Sequence, residues 1–77
     1  MDHNMFMYEL EHLAIHNGLH LCMNRAAVGC GINFFFRHDH TRKVSDCIVY
    51  FHDKETAESL LRRLETLAKE FKEEHNL

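Results

Sequence analysis

Ala57, Leu60, Leu61, Leu64, Leu67, Ala68 and Phe71 recur so that each has another of the set three or four residues away. That spacing follows the helical turn of about 3.6 residues and predicts an α-helix over residues 53–74 with one apolar stripe. Asp53 is the expected N-cap, and Glu55 in the first turn complements the helix dipole. Glu58 with Arg62, and Glu65 with Lys69, are i,i+4 pairs in the favourable order. A helix with one such stripe has to bury it against another layer.

The segment Ile32-Asn33-Phe34-Phe35-Phe36 supplies that layer. Successive side chains of a strand point to opposite faces, so Ile32, Phe34 and Phe36 share one face and Phe35 takes the other. The strand is expected over residues 30–37. A first strand is expected over residues 19–24 and a third over residues 44–51, with the polar residues 38–43 forming a hairpin tip between the second and third. Residues 25–29, small and ending in glycine, read as the connection between the first two strands. In the third strand Val44, Ile48 and Tyr50 share a parity with Asp46, while Cys47, Val49 and Phe51 take the other. A first helix is expected over residues 4–16, where Phe6, Leu10, Leu13 and Ala14 form an apolar stripe; Asn17-Gly18 is its stop.

The fold class that follows is α+β. A three-stranded antiparallel sheet is flanked by N- and C-terminal helices in the order αβββα, with both helices on one sheet face. Residues 1–77 form one small domain, near the lower size for independent folding. The other sheet face then carries Phe35. If Ile48 and Tyr50 accompany it, that face is an apolar patch of the kind that marks a partner surface. Phe35, Ile48 and Tyr50 are therefore the expected interface residues, and a homodimer across sheet faces or edge strands is a further expectation.

Charge and cysteine content narrow the class. The net charge is −3, which argues against a general nucleic-acid binder. The chain contains no proline and three glycines, which argues against a disordered linker. Met1-Asp2-His3-Asn4 lacks the basic, then apolar, pattern of a signal peptide, and no apolar run is long enough to span a bilayer. Three cysteines, Cys22, Cys30 and Cys47, read as reduced, buried strand residues of a cytoplasmic protein.

Eight histidines raise metal binding. Glu9, His12 and His16 lie at i, i+3 and i+7 on one helix stripe, where a His pair one turn apart can chelate zinc or nickel with a carboxylate nearby. The same three residues equally suit the solvated face of an amphipathic helix, and no spaced ligand motif supports a site. No cofactor is expected. His38-Asp39-His40 has the composition of an acid–base pair, but a hairpin tip positions groups poorly for catalysis. Cys22 or Cys47 with His20 or His52 lacks the helix start that activates a thiol. The chain is read as non-enzymatic. Arg37, Arg42 and Lys43, beside His38 and His40, form the one basic cluster and the candidate nucleic-acid contact.

The helix, three-strand, helix order resembles that of double-stranded-RNA-binding domains. In that family a Lys-rich stretch opens the last helix and contacts phosphates. Here Asp53-Lys54-Glu55-Thr56-Ala57 stands in that place and is acidic on balance, so RNA binding does not carry over. In size, acidity and lack of a catalytic motif the chain is similar to phage-encoded inhibitors, including anti-CRISPR proteins. The expected function is a protein-interaction module that acts by surface occlusion. The alternative is a small nucleic-acid-binding or metal-binding regulator.

Overall fold

The computed structural model describes every residue except Val28. The elements run α1 (His3–His16), β1 (His20–Arg25), β2 (Ile32–His38), β3 (Lys43–Val44), β4 (Ile48–Tyr50) and α2 (Ala57–His75). The α+β order is the expected one.

Each helix is closed by the chemistry of its ends. The Asp2 carboxylate accepts from the Met5 N–H at 2.8 Å and starts α1. At the other end the Asn17 side chain donates to the Leu13 carbonyl at 2.8 Å. Gly18 then turns the chain at φ +66°, a conformation that costs glycine little. The start of α2 lies later than expected. Thr56, not Asp53, is the N-cap, and its hydroxyl accepts from the Ser59 N–H at 3.1 Å. Asp53 is taken up in a preceding turn, in which the Lys54 and Glu55 N–H groups donate to the Phe51 carbonyl. At the far end Asn76 adopts the left-handed conformation, and the Leu77 N–H donates to the Lys72 carbonyl at 2.9 Å.

The sheet is antiparallel and centred on β2. β1 lies along one side of it, with Leu21 opposite Phe36, Cys22 opposite Phe35 and Met23 opposite Phe34. The connection expected across residues 25–29 includes Val28, which lies outside the described residues; within it Ala26 is buried, and its N–H donates to the Gly31 carbonyl at 3.0 Å.

The expected third strand is broken in two, and the break changes which side chains face inward. Arg37 pairs with Val44 and His38 with Lys43. Beyond Ser45 the register shifts by one residue, so that Phe34 pairs with Ile48 and Ile32 with Tyr50. Asp46 and Cys47 together stand against Phe35, which is the arrangement of a β-bulge. Ser45 makes the shift possible. Its N–H donates to the Phe36 carbonyl, and its hydroxyl accepts from the Phe36 N–H, each at 2.9 Å. The hydroxyl thus replaces the backbone carbonyl that an unbroken ladder would offer.

The consequence is a correction to the expected outer patch. Directly opposed residues share a face, so Ile48 and Tyr50 lie with Phe34 on the helix side. Tyr50 is buried, its ring centroid 6.3 Å from that of Phe34 and 6.1 Å from that of Phe6. Val44, before the bulge, keeps the outer face with Arg37. Parity counted along an unbroken strand fails here because the bulge adds one residue.

Both helices cover the same face. Leu10, Leu13 and Ala14 of α1 and Leu60, Leu64, Ala68 and Phe71 of α2 form one cluster with Leu19, Phe34, Phe36 and Tyr50. Phe34 and Phe36 are 1% and 0% exposed. No helix among the described residues is long and apolar enough to cross a membrane.

Candidate functional site

The sheet face away from the helices holds Phe35, but in polar company. His20, Cys22 and Asn24 flank it from β1, with Asn33 and Arg37 before and after it on β2. The Asn33 side chain donates to Asn24 at 3.1 Å. Phe35 is half-buried among these residues, and with Ile48 and Tyr50 turned inward no broad apolar patch surrounds it. A smaller apolar group sits at one end of this face. Gly31 has no side chain, and the Phe51 ring and Val49 close over it, with Lys54 Nζ 5.3 Å from the centre of that ring.

The basic residues do not gather into one surface. Arg37 points to the outer face and is paired with Asp39 at 2.6 Å. The guanidinium holds the Asp39 carboxyl below the usual carboxylate range, first through their hydrogen bond, and the same bond raises Arg37. Lys43, opposite His38, lies on the other face, with its Nζ 3.3 Å from Nδ1 of His75 in α2. Arg42 sits at the turn with φ +64°. The rest of the tip is committed to the turn itself: the Arg42 N–H donates to the His38 carbonyl, and the His38 ring meets the Thr41 hydroxyl at 2.9 Å.

On α1 the expected Glu9, His12 and His16 stripe resolves differently. The His12 and His16 rings lie 4.8 Å apart, and Tyr8 stacks on His12 at 5.5 Å with the rings nearly parallel. Tyr8 is thus the side chain found stacked on His12, and Glu9 is half-buried. Among the described residues no group of three or more His, Cys, Asp or Glu side chains is arranged to hold a metal ion. The cysteines differ from expectation as well. Cys30 and Cys47 are exposed, in the turn before β2 and in the bulge; Cys22 is half-buried, and all three are free thiols.

The apolar feature that sequence reasoning missed is the outward face of α1. Met5 is 54% exposed, Tyr8 60% and Ile15 69%. With His12 they step along the helix at intervals of three, four and three residues, the spacing of a coiled-coil seam. At about 100° per residue this seam lies opposite the buried stripe of Phe6, Leu10, Leu13 and Ala14. α1 therefore carries two apolar stripes. One is consumed by the core, and the second is left uncovered by any element among the described residues. The signal was present in the spacing of Met5, Tyr8, His12 and Ile15.

Continuous with that seam at Ile15, α1 and β1 enclose a groove of about 450 Å³ lined also by Met7, Leu10, Leu19, Leu21 and Met23, with Glu11 at its wall. Its lining is apolar except for Glu11 and His20, and Met7 and Met23 are exposed. Methionine suits such a surface because its unbranched side chain adapts to what it meets. Comparison with protein-family models, curated proteins and solved structures yields no match to this chain.

Proposed function

We propose that this protein is a non-enzymatic interaction module whose docking face is the outward side of α1, and whose partner is an apolar helical segment of another protein. The observation that carries the reading is the second stripe of α1. A helix that keeps large apolar side chains on the face opposite its core stripe, here Met5, Tyr8 and Ile15 around His12, offers a surface for a second element. The seam spacing of Met5, Tyr8, His12 and Ile15 suits a helix laid alongside, with side chains entering the spaces between residues three and four apart. Occlusion of a partner's surface, rather than chemistry, is the mode we propose. The chain's compositional likeness to small phage-encoded inhibitors fits that mode.

The test compares capture from a host lysate by the wild-type protein and by a Tyr8→Ser, Ile15→Asp variant. Both positions are exposed, so the variant keeps its fold, as circular dichroism checks. A protein retained by wild type and lost by the variant supports the reading. Retention of nucleic acid instead, abolished by Arg42→Ala with Lys43→Ala, overturns it.

A further inference from the structure

β1 is an edge strand: it pairs with β2 on one side only. Its free edge can be derived residue by residue. The Ala26 N–H donates to the Gly31 carbonyl, and residues 26 and 31 continue the β1–β2 register. In an antiparallel pair, residues that exchange hydrogen bonds alternate with residues that do not. His20, Cys22 and Asn24 therefore turn their backbone groups toward β2. Leu21, Met23 and Arg25 turn theirs outward, to an edge without a partner.

Exposed edges are usually blunted by proline, lysine or a bulge. β1 reads His-Leu-Cys-Met-Asn-Arg: it has no proline, lysine or bulge, and its one charged side chain is Arg25 at its end. The spacing of its outward groups is also self-matching. When β1 meets a second, antiparallel β1 with Met23 opposite Met23, Leu21 falls opposite Arg25. All outward N–H and C=O groups of these residues then find partners. The same register keeps parity, so Leu21 and Met23 stay on the helix side in both copies. A shift by one residue would put Leu21 opposite Asn24 and break that match.

The side chains support the same register. Met23 is exposed at the rim of the α1–β1 groove, and here it is covered by its counterpart. Arg25 and Glu11 are exposed, and neither forms an ion pair among the described residues. Arg25 of one copy arrives beside Leu21 of the other, in the groove whose wall carries Glu11. The symmetric pairing thus brings each free cation to a free carboxylate.

We propose that the occupant of this edge is a second copy of the chain, joined through antiparallel β1 strands about a two-fold axis at Met23, making one continuous sheet. This surface adjoins the outward seam of α1 at Ile15, which also lines the groove, whereas Met5 and Tyr8 do not.

Sedimentation velocity and two variants test it. Met23→Pro removes an outward N–H and leaves the β1–β2 bonds in place, since proline is tolerated on the solvent side of an edge strand. In a background with Cys30→Ser and Cys47→Ser, Asn24→Cys faces Cys22 of the other copy across a non-hydrogen-bonded pair. There the Cα separation of about 4.5 Å allows a disulfide. The expected results are a wild-type dimer, a folded Met23→Pro monomer, and a covalent dimer on mild oxidation of the Asn24→Cys protein that the same background without it does not give. A wild-type monomer at high micromolar concentration overturns the proposal, and so does a dimer whose Asn24→Cys form gives no specific crosslink. If Met23→Pro unfolds, the crosslink alone decides. Lysate capture compared between wild type and Tyr8→Ser alone, a position outside the groove, can succeed or fail whatever the oligomeric state, so the two proposals stand or fall separately.

Discussion

Ser45→Ala is the substitution that asks most of the fold argument. The Ser45 hydroxyl accepts from the Phe36 N–H at 2.9 Å and donates to the Asp46 carbonyl, also at 2.9 Å. Phe36 is fully buried, and alanine leaves its N–H without that acceptor. A buried donor left unsatisfied costs about 1–3 kcal/mol. In a domain of this size each kcal/mol moves the melting temperature by about 4–8 °C. A cost near the middle of that range, about 2 kcal/mol, predicts a fall of about 8–16 °C. Thermal melting by circular dichroism gives the stability, and native-state hydrogen exchange at the Phe36 amide gives its location. Exchange at Phe36 should accelerate more than exchange at the α2 amides, because the loss is local to the bulge. Threonine keeps a hydroxyl on the same carbon and should recover most of the stability. A Ser45→Ala protein that melts with the wild type and keeps Phe36 protected would refute the reasoning, since the bulge would then stand without its hydroxyl.

Two further outcomes test the core and the outer face. Leu64→Ala empties a site that is 0% exposed in the shared core cluster, and should cost about 2–5 kcal/mol; urea denaturation measures it, and an unchanged midpoint would mean that the core is wrongly placed. A β-carbon on Gly31 would stand 2.7 Å from Phe51 Cε1 and 2.9 Å from Val49 Cγ1. Gly31→Ala should therefore destabilise by about 1–3 kcal/mol, the usual cost of overpacking, and a raised melting temperature would show that the ring moves aside freely.

The fold class was legible because its evidence is local. The stripe from Ala57 to Phe71 specifies α2 whatever lies beneath it, and the alternation through Phe34, Phe35 and Phe36 specifies which of the three rings the helices cover. The face of the third strand was not legible, because it depends on how many residues stand against Phe35. Nothing in Val44-Ser45-Asp46-Cys47-Ile48 read alone says that a hydroxyl will replace a ladder carbonyl. That one substitution of acceptor moves Ile48 and Tyr50 from the expected outer patch into the core.

The candidate site followed the opposite course. The seam of Met5, Tyr8, His12 and Ile15 is as local as the α2 stripe, and its spacing is visible in the chain. It was obscured because an amphipathic helix is expected to have one apolar side, and Phe6, Leu10, Leu13 and Ala14 already supplied it. The histidines then drew the remaining face into a metal reading, although the ring that stacks on His12 is Tyr8. A second stripe becomes informative only once the first is known to be spent. The core accounts for Leu10, Leu13 and Ala14, whereas Met5, Tyr8 and Ile15 remain exposed. Single exposed apolar residues are ordinary on a small domain, but these three share one helix face, and a patch rather than a scatter is what marks a contact surface. The unpaired edge of β1 lies beside the same helix, across the groove they share. The surfaces that the fold leaves unsatisfied therefore border one another, and partner contact is expected along that flank before the hairpin tip, where Arg37 is already neutralised by Asp39.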